Sequence, residues 1–245
     1  TIKRQTAVAG AWRAHAVSLT EVVDSEAIDA SNAWALGRQG ASMSEVRRWN
    51  GTTWTVQTDP PLIGTPEDIA ATNGSCAWVI APGEIVRTAD GGSTWQSGSV
   101  PTDNGGGTTF ISVTASGCGA GATVWLTGRR GDLWVSTDGG ATFARRYSTL
   151  TELDGVSIVG GGVVLVGGPG NGISRSGDSG ATWATTRSGT PSLEGVAAAS
   201  ATRAWAVGSH GMIRTTSDGT NWTTSSTGTF DGLYDVEWVS GTTAV

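Results

Sequence analysis

Histidine and cysteine are scarce in this chain, with two of each in 245 residues. His15, His210, Cys76 and Cys118 are scattered, so no spacing suits a zinc site. No Asp-x-Asp-x-Asp-Gly calcium loop appears either. The sequence therefore predicts neither a metal nor a cofactor. Charge is also sparse, and the net value of −6 speaks against a general nucleic-acid or anionic-membrane surface. No apolar run reaches the length of a membrane helix. The most apolar stretch, residues 156–168, is broken by glycine. No window carries a helical period. What the chain has in quantity is glycine, 38 residues, and tryptophan, 12.

The informative feature is an octet that recurs. Its copies are Thr88-Ala-Asp90-Gly-Gly92-Ser-Thr94-Trp95, Ser136-Thr-Asp138-Gly-Gly140-Ala-Thr142-Phe143 and Ser176-Gly-Asp178-Ser-Gly180-Ala-Thr182-Trp183. A shorter copy is Thr216-Ser-Asp218-Gly-Thr220-Asn-Trp222, and Asn50-Gly51-Thr52-Thr53-Trp54 keeps the frame with Asn for Asp. The closing aromatics Trp54, Trp95, Phe143, Trp183 and Trp222 are 41, 48, 40 and 39 residues apart. A second marker, an apolar run around Trp34, Trp78, Trp125, Leu165 and Trp205, precedes each octet. Two markers keeping a period of about 40 residues predict four-stranded propeller blades.

Each unit reads as four short strands separated by Gly, Asp, Asn and Ser turns. The units are expected at about 24–62, 65–101, 107–150, 153–191 and 194–229, with a sixth made of 231–245 plus 1–20. The fold expected is an all-β, six-bladed β-propeller in one domain, 1–245. One antiparallel blade is split between the N- and C-termini, which removes free sheet edges. The wrap from Trp222 through Val245 to Trp12 is shorter than the other steps, so the repeat implies a few residues beyond one end. Cys76 and Cys118 stand just before the second-strand marker in neighbouring units. They either bridge the two as a disulfide or sit as separate buried thiols.

The octets resemble Asp-box (BNR) repeats, and the whole chain resembles the Asp-box propellers. That class includes sialidases, xyloglucan-active hydrolases, the sortilin ectodomain and photosystem II assembly factors. The resemblance implies that Asp90, Asp138, Asp178 and Asp218 are structural, in the hairpin between third and fourth strands, away from the usual ligand side. Turn chemistry agrees, because Asx carboxylates accept backbone N–H groups within a turn. The resemblance leaves activity open, since this scaffold hosts many chemistries. The chain lacks the Arg-Ile-Pro segment of sialidases and has only Tyr147 and Tyr234, with Tyr234 near Glu237. One propeller supplies half of a xyloglucan-active cleft.

Three local motifs carry little. Gly177-Asp178-Ser179-Gly180 matches a serine-protease segment but lies inside an octet. Arg130-Gly131-Asp132 is an integrin-type tripeptide at a hairpin tip, and residues 167–172 are a glycine-rich hairpin without a helix to follow.

The candidate binding residues come from placing loops. The loop leading into the first strand and the second hairpin of a blade share one rim, opposite the octets. The leading loops carry Glu26, Glu67 with Asp68, Asp154, Glu194, and Asp231 or Asp235. The hairpins carry Arg38, Arg129, Arg130 and His210. A mouth of carboxylates, guanidinium groups and a His suits a polar ligand. The leading expectation is a non-catalytic binding or scaffold propeller taking a glycan or protein partner. The alternatives are a glycan-active hydrolase or lyase using rim carboxylates, and an assembly factor or module of a larger surface protein. Composition suggests a secreted or periplasmic protein.

Overall fold

The computed structural model describes residues 2–5, 12–15, 19–38, 44–62, 64–99, 110–128, 131–148, 154–159, 163–168, 172–187, 192–228, 230–240 and 243–244. In chain order the strands are β1 (Ile2–Gln5), β2 (Trp12–His15), β3 (Glu21–Asp29), β4 (Asn32–Arg38), β5 (Glu45–Trp49) and β6 (Trp54–Val56). Then come β7 (Asp68–Ala71), β8 (Ala77–Ala81), β9 (Glu84–Thr88), β10 (Gln96–Ser97), β11 (Phe110–Ser116), β12 (Thr123–Gly128), β13 (Asp132–Ser136) and β14 (Ala144–Ser148). The rest are β15 (Gly155–Val159), β16 (Val163–Gly168), β17 (Gly172–Ser176), β18 (Ala184–Arg187), β19 (Leu193–Ala198), β20 (Ala204–Gly208), β21 (Met212–Thr216), β22 (Thr223–Ser226), β23 (Trp238–Ser240) and β24 (Thr243–Ala244).

Strands β3 to β22 form five four-stranded sheets, each in sequence order, and the pairings resolved within them are antiparallel. Among the described residues there is no α-helix, only 3₁₀ turns at Gly119–Gly121 and Ser209–Gly211. The segments expected to share a split sixth blade form two antiparallel pairs, β1 with β2 and β23 with β24. By its contacts the chain divides into two compact units, Thr1–Val124 with Ser136–Phe143, and Trp125–Val135 with Ala144–Val245.

The octets fold as self-contained turns. In the first, Thr88 Oγ1 donates to Asp90 Oδ1 at 2.8 Å and accepts the Gly92 N–H at 3.0 Å. The same carboxylate accepts Thr94 N–H at 2.9 Å and Thr94 Oγ1 at 2.6 Å. Residues 136–142 and 176–182 repeat this pattern. Asp218 does the same with Thr220, Asn221 and Thr216, and Asn50 accepts from Thr52 and Thr53. Glycine is required where the turn turns left-handed, as at Gly140, with φ +92°.

In the first unit these turns tie each sheet to the next. Trp78 Nε1 donates to Gly139 O at 2.8 Å, and Trp34 Nε1 to Asn73 O at 3.0 Å. Trp95 Nε1 donates back to Thr58 O at 2.9 Å and packs edge-on to Trp34. The core there gathers Trp34, Leu36, Val46, Ile69, Val79 and Val86. In the second unit Trp125 lies against Gly180 with Leu133, Val135 and Val156, and Trp222 covers Ile173, Leu193 and Met212. Cys76 and Cys118 are joined as a disulfide, Cα–Cα 5.6 Å, across 42 residues of the first unit. This resolves the alternative that the sequence left open.

Candidate binding surface

In each sheet the octet turn joins the third and fourth strands at the end where the first two strands also meet. The opposite end holds the residues before the first strand and the second hairpin. The expected ligand residues are distributed unevenly along that end.

In the first unit, Glu26 is not in a leading loop. β3 begins at Glu21, earlier than the sequence pattern suggested, and Glu26 sits mid-strand opposite Trp34. Its place at the loop is taken by Glu21, which pairs with Arg38 at 3.3 Å. Both are well exposed, so the pair contributes little to stability. Glu67 is half-buried just before β7, with its N–H on Ile80 O at 2.9 Å. The loop ahead of it is held by Gly64 N–H on Glu84 Oε2, 2.9 Å.

The neighbour of Glu67 matters more than the sequence indicated. The Ile69 N–H is shared by two carboxylates, Asp24 Oδ2 at 3.1 Å and Asp68 Oδ1 at 2.9 Å. Asp68 Oδ2 in turn accepts Val113 N–H at 2.7 Å, so Asp24 and Asp68 connect three inner strands. Burial pushes the Asp68 carboxyl well above the usual carboxylate range, and the adjacent Asp24 carboxylate adds to it. Asp68 therefore keeps its proton to higher pH than an ordinary carboxyl.

The octet acids move the other way. Hydrogen bonds from Thr94 hold Asp90 at about 2, and those from Thr182 hold Asp178 at about 2. Asp138 and Asp218 are also held well below the ordinary value, first by Thr142 and Asn221 respectively. These four carboxylates are ionised and turned into their own loops.

In the second unit, Asp154 lies just before β15 with its N–H on Gly167 O at 2.8 Å. Arg129 and Arg130 lie outside the described residues. Asp132 of the integrin-type tripeptide is buried and paired with Arg145 at 2.5 Å, which removes it from the surface.

Around β19 to β21 several features converge. Glu194 is the extra residue of a β-bulge, since Leu193 pairs with Gly208 and Gly195 with Val207. Bulges re-aim side chains and are frequent beside functional sites. His210 is exposed at the tip of the β20–β21 hairpin with φ 62° and ψ 32°. Gly211, which follows it at φ 64°, is the counterpart of Gly83 at φ 74° and Gly131 at φ 76°, the residues just before β9 and β13. A left-handed conformation at a residue other than glycine costs about 1 kcal/mol or more. Over this hairpin run residues 227–228 and 230–236. Thr227 N–H bonds Gly211 O at 2.9 Å and Leu233 N–H bonds Gly208 O at 3.0 Å. Only glycine fits at 195, where a Cβ would meet Asp235 Cα at 2.9 Å. Leu233 and Val236 pack inward on Ala197 and Val207. Phe230 and Tyr234 point outward, 90% and 77% exposed. Asp231 and Asp235 flank them in sequence and are exposed. Burying an aromatic ring is worth about 1.5–3 kcal/mol, so two rings left in water within five residues are unusual. No sequence pattern announced them.

The chain matches no protein-family model and no curated protein. It does resemble solved structures. YCF48 from Cyanidioschyzon merolae superposes with a TM-score of 0.66 at 16% identity, over 95% of this chain and 80% of that one. YCF48 bound to D1 peptide gives 0.61 at 16% identity, over 89% and 69%. The GH74 enzyme of Niastella koreensis gives 0.67 at 16% identity, over 90% of this chain and 42% of that one. The fold is a β-propeller. At this identity the likeness extends to the fold alone, and five complete blades are present among the described residues. The chain spans less than half of the hydrolase.

Proposed function

We propose that this propeller is a non-catalytic binding protein that takes a protein partner at the blade ends opposite the octets. In this reading the octets are Asp-box turns with a purely structural role. The observation that carries it is the pair of outward aromatics, Phe230 and Tyr234, set beside acids on that end. Aromatic residues are enriched in protein interfaces. The octet carboxylates, by contrast, are fully engaged in their own turns. That one structural neighbour is YCF48 bound to D1 peptide is in keeping with a peptide-like ligand. An assembly factor or a module of a surface protein fits the same reading. We place the protein in an oxidising compartment, which suits the Cys76–Cys118 disulfide.

The hydrolase alternative needs two carboxylates about 5–9.5 Å apart around a sugar. Asp24 and Asp68 share one N–H and are too close to flank a glycosidic bond. A parallel screen of peptide arrays, glycan arrays and polysaccharide hydrolysis separates the readings. Peptide binding without product release supports the proposal. Release of reducing ends that disappears in Asp154→Asn or Glu194→Gln overturns it.

A further inference from the structure

We infer that the corner formed by Glu194, His210, Phe230, Asp231 and Tyr234 is a docking surface for a lysine- or arginine-bearing segment of a partner protein. The inference rests on the binding reading above and names its partner chemistry.

Three independent local features meet at this corner. The backbone is bulged at Glu194 and left-handed at His210. The bulge recurs in the first sheet, where Val22 and Asp24 pair with Gly37 and Leu36, and Gly211 fills the left-handed place of Gly83, so His210 is the added left-handed residue of this hairpin. The chain at 230–236 is anchored from beneath by Leu233 and Val236, so its outward rings are held rather than dangling. Both Leu233 N–H on Gly208 O and the close approach at Gly195 fix its position.

The chemistry selects a cation. An aromatic face attracts ammonium and guanidinium groups through its quadrupole, and the long aliphatic stems of Lys and Arg cover the ring. Carboxylates at Glu194, Asp231 and Asp235 add the matching charge on an already acidic chain. An acidic segment meets like charge here, and a purely apolar one gains nothing from the acidic charge. Rigid anchored aromatics beside charge also lower the ordering cost of binding an extended segment.

The test uses the full chain and three labelled probes, the octapeptides (Gly-Lys)₄ and (Gly-Glu)₄ and cellohexaose, followed by fluorescence anisotropy at low and high salt. The expected result is binding of (Gly-Lys)₄ that weakens with salt, and no binding of (Gly-Glu)₄. Phe230→Ser with Tyr234→Ser weakens it at least tenfold while the melting temperature holds. Asp231→Asn weakens it severalfold. Glu21→Gln with Glu67→Gln, in the other unit, changes it less than twofold. If that control pair loses binding and the aromatic pair does not, the corner assignment fails and the wider binding reading stands. If neither charged peptide binds the wild-type chain, the cationic partner is overturned, and the peptide array decides the wider binding reading. Binding of cellohexaose that is lost in the aromatic pair overturns the cationic partner in favour of a sugar. A concentration-dependent dimer, lost in the aromatic pair by sedimentation, assigns the corner to a second copy of the chain and overturns the inference likewise.

Discussion

Breaking the Cys76–Cys118 bridge gives the most quantitative test of the packing. The bridge closes a loop of 42 residues and joins the start of β8 to the turn before Gly119. In the chain-entropy account, a loop of that length constrains the unfolded state by about 4 kcal/mol. If the chain unfolds in one step, unfolding entropy of about 0.5 kcal/mol/K for 245 residues converts this to a fall of about 8 °C. The bridge also has a local partner. Gly139 N–H bonds Ala122 O at 2.9 Å, so the turn after Cys118 supports the 136–143 octet. Urea unfolding and calorimetry should be run on oxidised wild type, on reduced wild type and on Cys76→Ala with Cys118→Ala. Alanine avoids placing a hydroxyl at position 76, which is fully buried. Both perturbed forms should lose about 4 kcal/mol, with the larger share in the unit that holds the bridge. A loss under about 1 kcal/mol in both, or two free thiols titrating in the oxidised protein, refutes the reasoning.

Other outcomes follow from particular side chains. The Asp68 carboxyl is raised above its ordinary value of 3.8, so the folded state holds a proton that the unfolded chain releases. This contribution is full below the unfolded value and declines as pH rises toward the folded one. Asp68→Asn keeps the neutral form, so stability at pH 7 should be unchanged or higher, and the fall in stability as pH rises above the ordinary carboxyl value should flatten in urea titrations. Gly140→Ala places a Cβ 3.2 Å from Trp78 Nε1 at φ +92°, and should cost about 1–3 kcal/mol, read by thermal unfolding. Arg214 is 3% exposed over Trp222, and its Nε and Nη1 have no hydrogen-bond partner among the described residues. Burial lowers its pKa, and Arg214→Met should leave stability unchanged or raise it by about 1 kcal/mol in the same assay.

The repeat was legible because turn chemistry is local. An Asp that accepts from residues two to four positions ahead writes its role into eight consecutive letters, and glycine fills the left-handed positions except at Ser179. The second-strand tryptophans were legible for the same reason, since each repeats in register with the octet. What lay across strands was not legible. Glu26 was placed in the leading loop instead of within β3 because nothing in the residues from 18 to 26 marks where β3 starts pairing with β4. The Asp24–Asp68 contact depends on β3 lying beside β7, separated by 44 positions in sequence. Arg87 reaches Asp138 O and Arg175 reaches Ala201 O in the following sheets, contacts that no local pattern marks. Phe230 and Tyr234 look like core residues in a β-rich segment. Leu233 and Val236 fill that core instead, and the rings are left outside.

Amide hydrogen exchange on the chain saturated with (Gly-Lys)₄ tests the central claim most directly. The account predicts slowed exchange at residues 192–195, 208–212 and 230–236, with residues 88–95, 136–143, 176–183 and 216–222 unchanged. Protection confined to those four octet turns contradicts it.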